Sequence, residues 1–162
     1  MDLVWLILCG LISIVVHELG HAWAARLCGF DVEAIHFGVG PPMTKFRRDR
    51  VDIFVGYPWT LFVGYVEVRI PGRTPILPRL FVYSAGLLVN AALMLVCSLG
   101  DTYVHQLTGL FAPLGILNLG IIVLNSIPFV VMRQGYTKMW TDGGRIAGLI
   151  QEAITGRNFT DR

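Results

Sequence analysis

The sequence predicts an α-helical integral membrane protein: about three core transmembrane helices, a membrane-associated β-hairpin on the cytoplasmic side and a C-terminal helix. Two patterns carry that prediction. Three apolar blocks, residues 3–25, 80–99 and 104–132, dominate a composition that is 54% hydrophobic, and each reaches or exceeds the ~20 residues a spanning helix needs. The basic residues are then distributed very unevenly between the segments that follow these blocks. The 162 residues leave room for one domain, and a soluble domain does not carry three such runs.

The first block is free of charge until Glu18. It lacks the basic start of a cleaved signal peptide, and cleavage would discard or strand a polar cluster at 17–21, so it reads as a retained helix. The second block has no charged residue, and the third has none but contains Pro113 and Pro128. Arg26, Lys45, Arg47, Arg48, Arg50, Arg69, Arg73 and Arg79 follow the first block, whereas the 100–106 connection carries only Asp101 and His105. The tail after Met132 is again basic, with Arg133, Lys138, Arg145, Arg157 and Arg162. Positive-inside logic therefore expects a multi-pass cell-membrane protein with the N-terminus outside and the C-terminus cytoplasmic.

The polar segment between the first two blocks is patterned. Residues 51–55 and 61–70 are rich in β-branched and aromatic residues, the latter alternating over 66–70, and Pro58-Trp59 separates them. They read as a β-hairpin, with a further strand around 32–37 and a turn at Gly38-Val39-Gly40-Pro41-Pro42. Such a hairpin can offer an unpaired edge to an extended chain or serve as a structural cap; both readings stand. After Thr141-Asp142-Gly143-Gly144, the residues Ile146, Leu149, Ile150, Ala153 and Ile154 recur at helical spacing, and Thr141 or Asp142 suits the N-cap. Cys9, Cys28 and Cys97 show neither metal nor disulfide spacing. No basic run is interleaved with aromatics, so nothing points to nucleic acid.

The run His17-Glu18-Leu19-Gly20-His21 closes the first apolar block. H-E-x-x-H on a helix sets two imidazoles one turn apart on one face, where both can bind one Zn²⁺, and the glutamate between them can act as general base. The bland alternative is two buried histidines satisfied by hydrogen bonds. Ionisable groups at bilayer depth are costly, which favours function over accident. From Leu3, His17 lies 14 residues in, or roughly 21 Å at 1.5 Å per residue, below the surface of a ~30 Å core. A catalytic zinc takes three protein ligands. Leu27 occupies the position of a metzincin third histidine. Spacing leaves Glu33, His36, His105 and Asp142 open, with Asp142 favoured over Glu33 because it returns to the side of His21 beside two glycines.

Residues 17–26, His-Glu-Leu-Gly-His-Ala-Trp-Ala-Ala-Arg, resemble the active-site helix of the site-2 protease family of intramembrane zinc metalloproteases. Phe37-Gly38-Val39-Gly40-Pro41 resembles that family's glycine-rich turn, and Gly64-Tyr65-Val66-Glu67-Val68 its β-hairpin. Ala85-Gly86-Leu87-Leu88-Val89-Asn90 resembles its A-G-P-x-x-N helix, with Leu87 for the proline. Asn125-Ser126-Ile127-Pro128 with Asp142-Gly143-Gly144 is similar to its N-x-x-P…D-G motif, across a long 129–141 connector. Val63 stands where a second hairpin glycine is common.

The resemblance implies one Zn²⁺ per chain held by His17, His21 and Asp142, Glu18 as catalytic base and Asn125 as a stabiliser of the oxyanion. Asn90 would line the site or bond across helices. It implies a single intramembrane metalloprotease core domain over 1–162, without the PDZ or CBS domains of many relatives. The implied activity is peptide-bond hydrolysis within or beside the bilayer. Its substrates would be single-span membrane proteins or signal-peptide remnants; oligomeric state is open. The rival is a non-catalytic membrane module that binds partner transmembrane helices and uses zinc for structure or sensing.

Overall fold

The structure is a computed structural model that describes residues 3–72, 74–103, 108–132 and 138–157. Its elements are, in order, α1 (Leu3–Leu27), β1 (Asp31–Phe37), β2 (Thr44–Arg48), β3 (Val51–Val55), β4 (Gly64–Arg69), α2 (Ile76–Tyr103), α3 (Thr108–Ser126), β5 (Val130–Met132), β6 (Lys138–Trp140) and α4 (Asp142–Thr155). Two of these helices, α1 and α2, are long and apolar enough to cross a membrane. The third apolar block forms α3, a 19-residue helix roughly 28 Å long. Leu87 does not interrupt α2, which runs unbroken through it.

The three long helices are built inside out. On α1 the buried face is small or polar apart from Ile14: Cys9, Gly10, Ser13, His17, Glu18, Gly20, His21, Ala22, Ala24 and Ala25. Its exposed face carries Leu3, Val4, Leu8, Ile12, Leu19, Trp23 and Leu27. Leu88, Leu95 and Val96 on α2, and Ile116, Val123 and Leu124 on α3, are exposed in the same way. Such an exterior suits a hydrocarbon solvent better than water, and the small residues let the backbones approach. A Cβ added to Gly20 would stand 3.1 Å from the Ala85 carbonyl oxygen and 3.0 Å from Val89 Cγ2, which shows how closely α1 and α2 pack.

Beside the helices lies a four-stranded sheet of order β2-β3-β1-β4. Here the expected strand pairing is corrected. The runs 51–55 and 61–70 do not form a hairpin with each other; β1 lies between them, parallel to β3 and antiparallel to β4. The connection between β3 and β4, which includes a short 3₁₀ turn at Pro58–Thr60, is too long for a tight turn and carries β4 past β1. The actual hairpin is β2–β3, turned by Asp49 and Arg50, both at positive φ. Strand β2 was not expected: its residues Thr44-Lys45-Phe46-Arg47-Arg48 are all exposed and mostly charged, as suits a solvated sheet edge.

The end of the chain is folded back by a small ribbon. Strands β5 and β6 pair antiparallel, Val130 opposite Trp140 and Met132 opposite Lys138. The Thr141 N–H then donates to the Phe129 carbonyl at 3.1 Å, and the Thr141 hydroxyl donates to the Ile127 carbonyl at 2.7 Å. Thr141 is the N-cap of α4, accepting from the Gly144 N–H, so Asp142 is released from capping. Helix α4 docks on α2 through Arg79, whose Nη1 lies 3.0 Å from both Glu152 carboxylate oxygens in a largely buried pair. Arg145 adds a cation–π contact at 5.3 Å from the Tyr83 ring.

Candidate metal centre

His17 and His21 emerge from the buried face of α1, four residues apart, with ring centroids 4.8 Å apart. Asp142, at the start of α4, meets both. Its Oδ2 lies 3.1 Å from His17 Nε2 and 3.2 Å from His21 Nε2, and the two Nε2 atoms are 3.2 Å apart. All three residues are buried, and they form the one group of potential metal donors found among the described residues. Zinc bonds of about 2.05 Å at the tetrahedral angle place two donors about 3.3 Å apart. The observed triangle has that size.

Protonation leads to the same conclusion. The Val82 carbonyl can only accept, so the 2.7 Å contact fixes a proton on His21 Nδ1. In the neutral ring this leaves a lone pair on Nε2, aimed at a carboxylate oxygen that also carries only lone pairs. A cation between them resolves the conflict, and a ring nitrogen anchored to a carbonyl is the usual outer support of a zinc-ligating histidine. The donor set therefore fits zinc.

Two glycines make room for these groups. A Cβ on Gly86 would stand 2.7 Å from His17 Cε1 and 2.8 Å from His17 Nδ1, and would run into His21 Nε2. A Cβ on Gly64, at the start of β4, would lie 2.7 Å from both Cγ and Oε1 of the buried Glu18. The sheet thus touches the site through Glu18. Gly143 is tight against the Ser126 backbone, which brings Asp142 beside the end of α3.

The other candidates lie elsewhere. Glu33 is half-exposed and ion-paired with Arg69. His36 is stacked between Phe54 and Tyr65, 3.1 Å from Glu67, in a separate cavity of about 280 Å³. His105 falls outside the described residues. Asn125 donates to Ile121 in its own helix at 3.2 Å, adjacent to Ser126. Asn90 is fully buried but makes no bond across helices among the described residues; such a bond belongs to Asn118, which donates to Ser13 at 2.9 Å. Sequence reasoning had overlooked Asn118, the Val82 carbonyl and the steric role of Gly86. A glycine or asparagine inside an apolar helix is the signal that could have exposed two of them.

A buried triangle of two histidines from an apolar helix and an aspartate from α4, with a glutamate beside the first histidine, is a donor set of the kind zinc peptidases use. Residues 5–103 match the family model of peptidase family M50, and the chain belongs to that family, that of the site-2 proteases. The match includes His17, Glu18 and His21 and ends before Asp142. "Probable membrane metalloprotease ARASP2, chloroplastic" of Arabidopsis thaliana is 36% identical over 89 residues, 48% of this chain and 20% of that protein. A Synechocystis sp. protein whose name includes the words zinc metalloprotease is 34% identical over 91 residues, 49% of this chain and 25% of that protein. The regulator of sigma-E protease RseP of Escherichia coli is 33% identical over 69 residues, 43% and 15% respectively. The chain therefore spans a quarter or less of the length of these relatives.

Proposed function

We propose that the protein is a zinc-dependent endopeptidase that cleaves peptide bonds of membrane-embedded substrates, with His17, His21 and Asp142 as the zinc ligands. The donor triangle, set beside Glu18 on an apolar helix, is the observation that carries this reading. When bound there, zinc supplies Lewis acidity, which lowers the pKa of water towards ~7 and favours negative charge on a carbonyl oxygen. Glu18 takes the proton of the attacking water and returns it to the departing amine. Asn125, next to Ser126 at the end of α3, is the proposed donor to the oxyanion.

A transmembrane substrate must unwind before its carbonyls can be attacked, since its own helix hides them. Strand β4 pairs with β1 on one side only, and its first residue touches Glu18. An extended substrate added to that edge would pass the catalytic base. Single-span proteins or signal-peptide remnants have the chemistry required. We further propose that α1, α2 and α3 all span the bilayer, with the N-terminus outside and the Lys/Arg-rich segments cytoplasmic.

The test is Glu18→Gln in detergent-purified protein. Zinc content is expected to stay at one per chain, while cleavage of a membrane-spanning reporter falls by roughly 10²–10⁴-fold, the usual contribution of a general base. Undiminished turnover would reject this mechanism and favour the non-catalytic module.

A further inference from the structure

One level of the helix bundle beyond the metal ligands, three buried polar side chains converge. Helices α1 and α2 run antiparallel: His21 meets Val82, and His17 meets Gly86 one turn on. Another turn on brings Ser13 of α1 level with Asn90 of α2, since residues four apart share a helix face. Asn118 of α3 reaches the same level through its bond to the Ser13 hydroxyl. Ser13, Asn90 and Asn118 are all 0% exposed.

The hydrogen-bonding there is incomplete in a specific way. Ser13 donates to the Cys9 carbonyl and accepts from Asn118, whose amide also donates to Leu114. Left without partners among the described residues are His17 Nδ1, Asn90 Nδ2, Asn90 Oδ1 and Asn118 Oδ1. Buried polar atoms of this kind are rarely orphaned, and an internal water typically makes two to four bonds to them. If His17 offers the Nε2 lone pair to a metal, its Nδ1 carries the proton. The four atoms are then two donors and two acceptors, which is the complement of one water molecule.

We propose that a structural water, held by Asn90 and Asn118, receives the Nδ1–H of His17. It would do for His17 what the Val82 carbonyl does for His21. Asn90 is then a positioning residue of the metal centre, fixing the tautomer and ring orientation of one ligand. This inference rests on the zinc-ligand reading above. Loss of an outer partner of a ligating histidine typically weakens metal binding 10–100-fold.

The experiment measures zinc affinity by chelator competition on the full chain in detergent, for wild type, Asn90→Leu and Asn90→Ser, with thermal unfolding of each metal-free form as control. Asn90→Leu is expected to bind zinc 10–100-fold more weakly while its metal-free form unfolds at or above the wild-type temperature. Asn90→Ser, which keeps a hydroxyl for the water, is expected to lose less. In ¹⁵N-histidine spectra of the wild type, His17 Nδ1 is expected to be protonated and to show transfer to water. Wild-type affinity in Asn90→Leu, equal weakening in both variants, or an unprotonated Nδ1 would overturn the proposal. A wild type that takes up no zinc would instead overturn the metal centre itself, a distinguishable result.

Discussion

A single methyl group at Gly86 tests the geometry of the metal centre. The added carbon would stand 2.7 Å from His17 Cε1, where carbon atoms prefer about 3.5–4.0 Å. His17 must therefore retreat by about 0.8 Å, roughly four times the ±0.2 Å that metal–ligand distances tolerate. It cannot retreat freely, because Gly20 already holds α1 within contact of the Ala85 backbone. Overpacking of this kind costs about 1–3 kcal/mol. Charged to metal binding, that is about 5- to 150-fold in zinc affinity. The assay is zinc competition in detergent for Gly86→Ala, with Gly100→Ala, which crowds Phe111 of α3 at 2.8 Å, as the control that overpacks a helix interface away from the ligands. The metal-free Gly86→Ala protein is expected to keep its helicity, since alanine is the better helix former by about 1 kcal/mol. Wild-type zinc affinity in Gly86→Ala, or an equal loss in Gly100→Ala, would refute the reasoning.

Two further outcomes follow from the same contacts. Gly64→Ala places a carbon 2.7 Å from Glu18 Oε1, so zinc content should be unchanged while turnover falls at least 10-fold, part of the ~10²–10⁴ a general base supplies; equal turnover in a reporter assay would show that β4 does not position Glu18. Arg79→Ala removes both Nη1 contacts of the largely buried Glu152 carboxylate, a loss of about 3 kcal/mol, and should lower the unfolding temperature and loosen zinc through α4; the exchanged pair Arg79→Glu with Glu152→Arg should recover part of both.

The helices were legible because each apolar block is long, and the H-E-x-x-H run was legible because its residues are adjacent. Asp142 was harder. It follows a connector of about a dozen residues, and only the β5–β6 ribbon with the Thr141 bonds to Ile127 and Phe129 brings it to α1. Strand β2 was invisible because nothing in Thr44–Arg48 is buried, so no alternation marks it. The strand order was misread for a related reason: alternation reports which face of a strand is covered, and says nothing about its neighbour. Gly86 and Val82 act through backbone and empty space, which a residue pattern does not encode.

The proposed ligands His21 and Asp142 stand 121 positions apart, on the first and last helices described. A growing chain that has inserted α1 therefore carries two imidazoles and a glutamate without the carboxylate that closes the cage. Two donors hold zinc poorly, so the proposed centre would be incomplete until α4 has been made and latched to α2. On the proposed function, a membrane-resident hydrolase built this way would acquire its chemistry only after its own insertion.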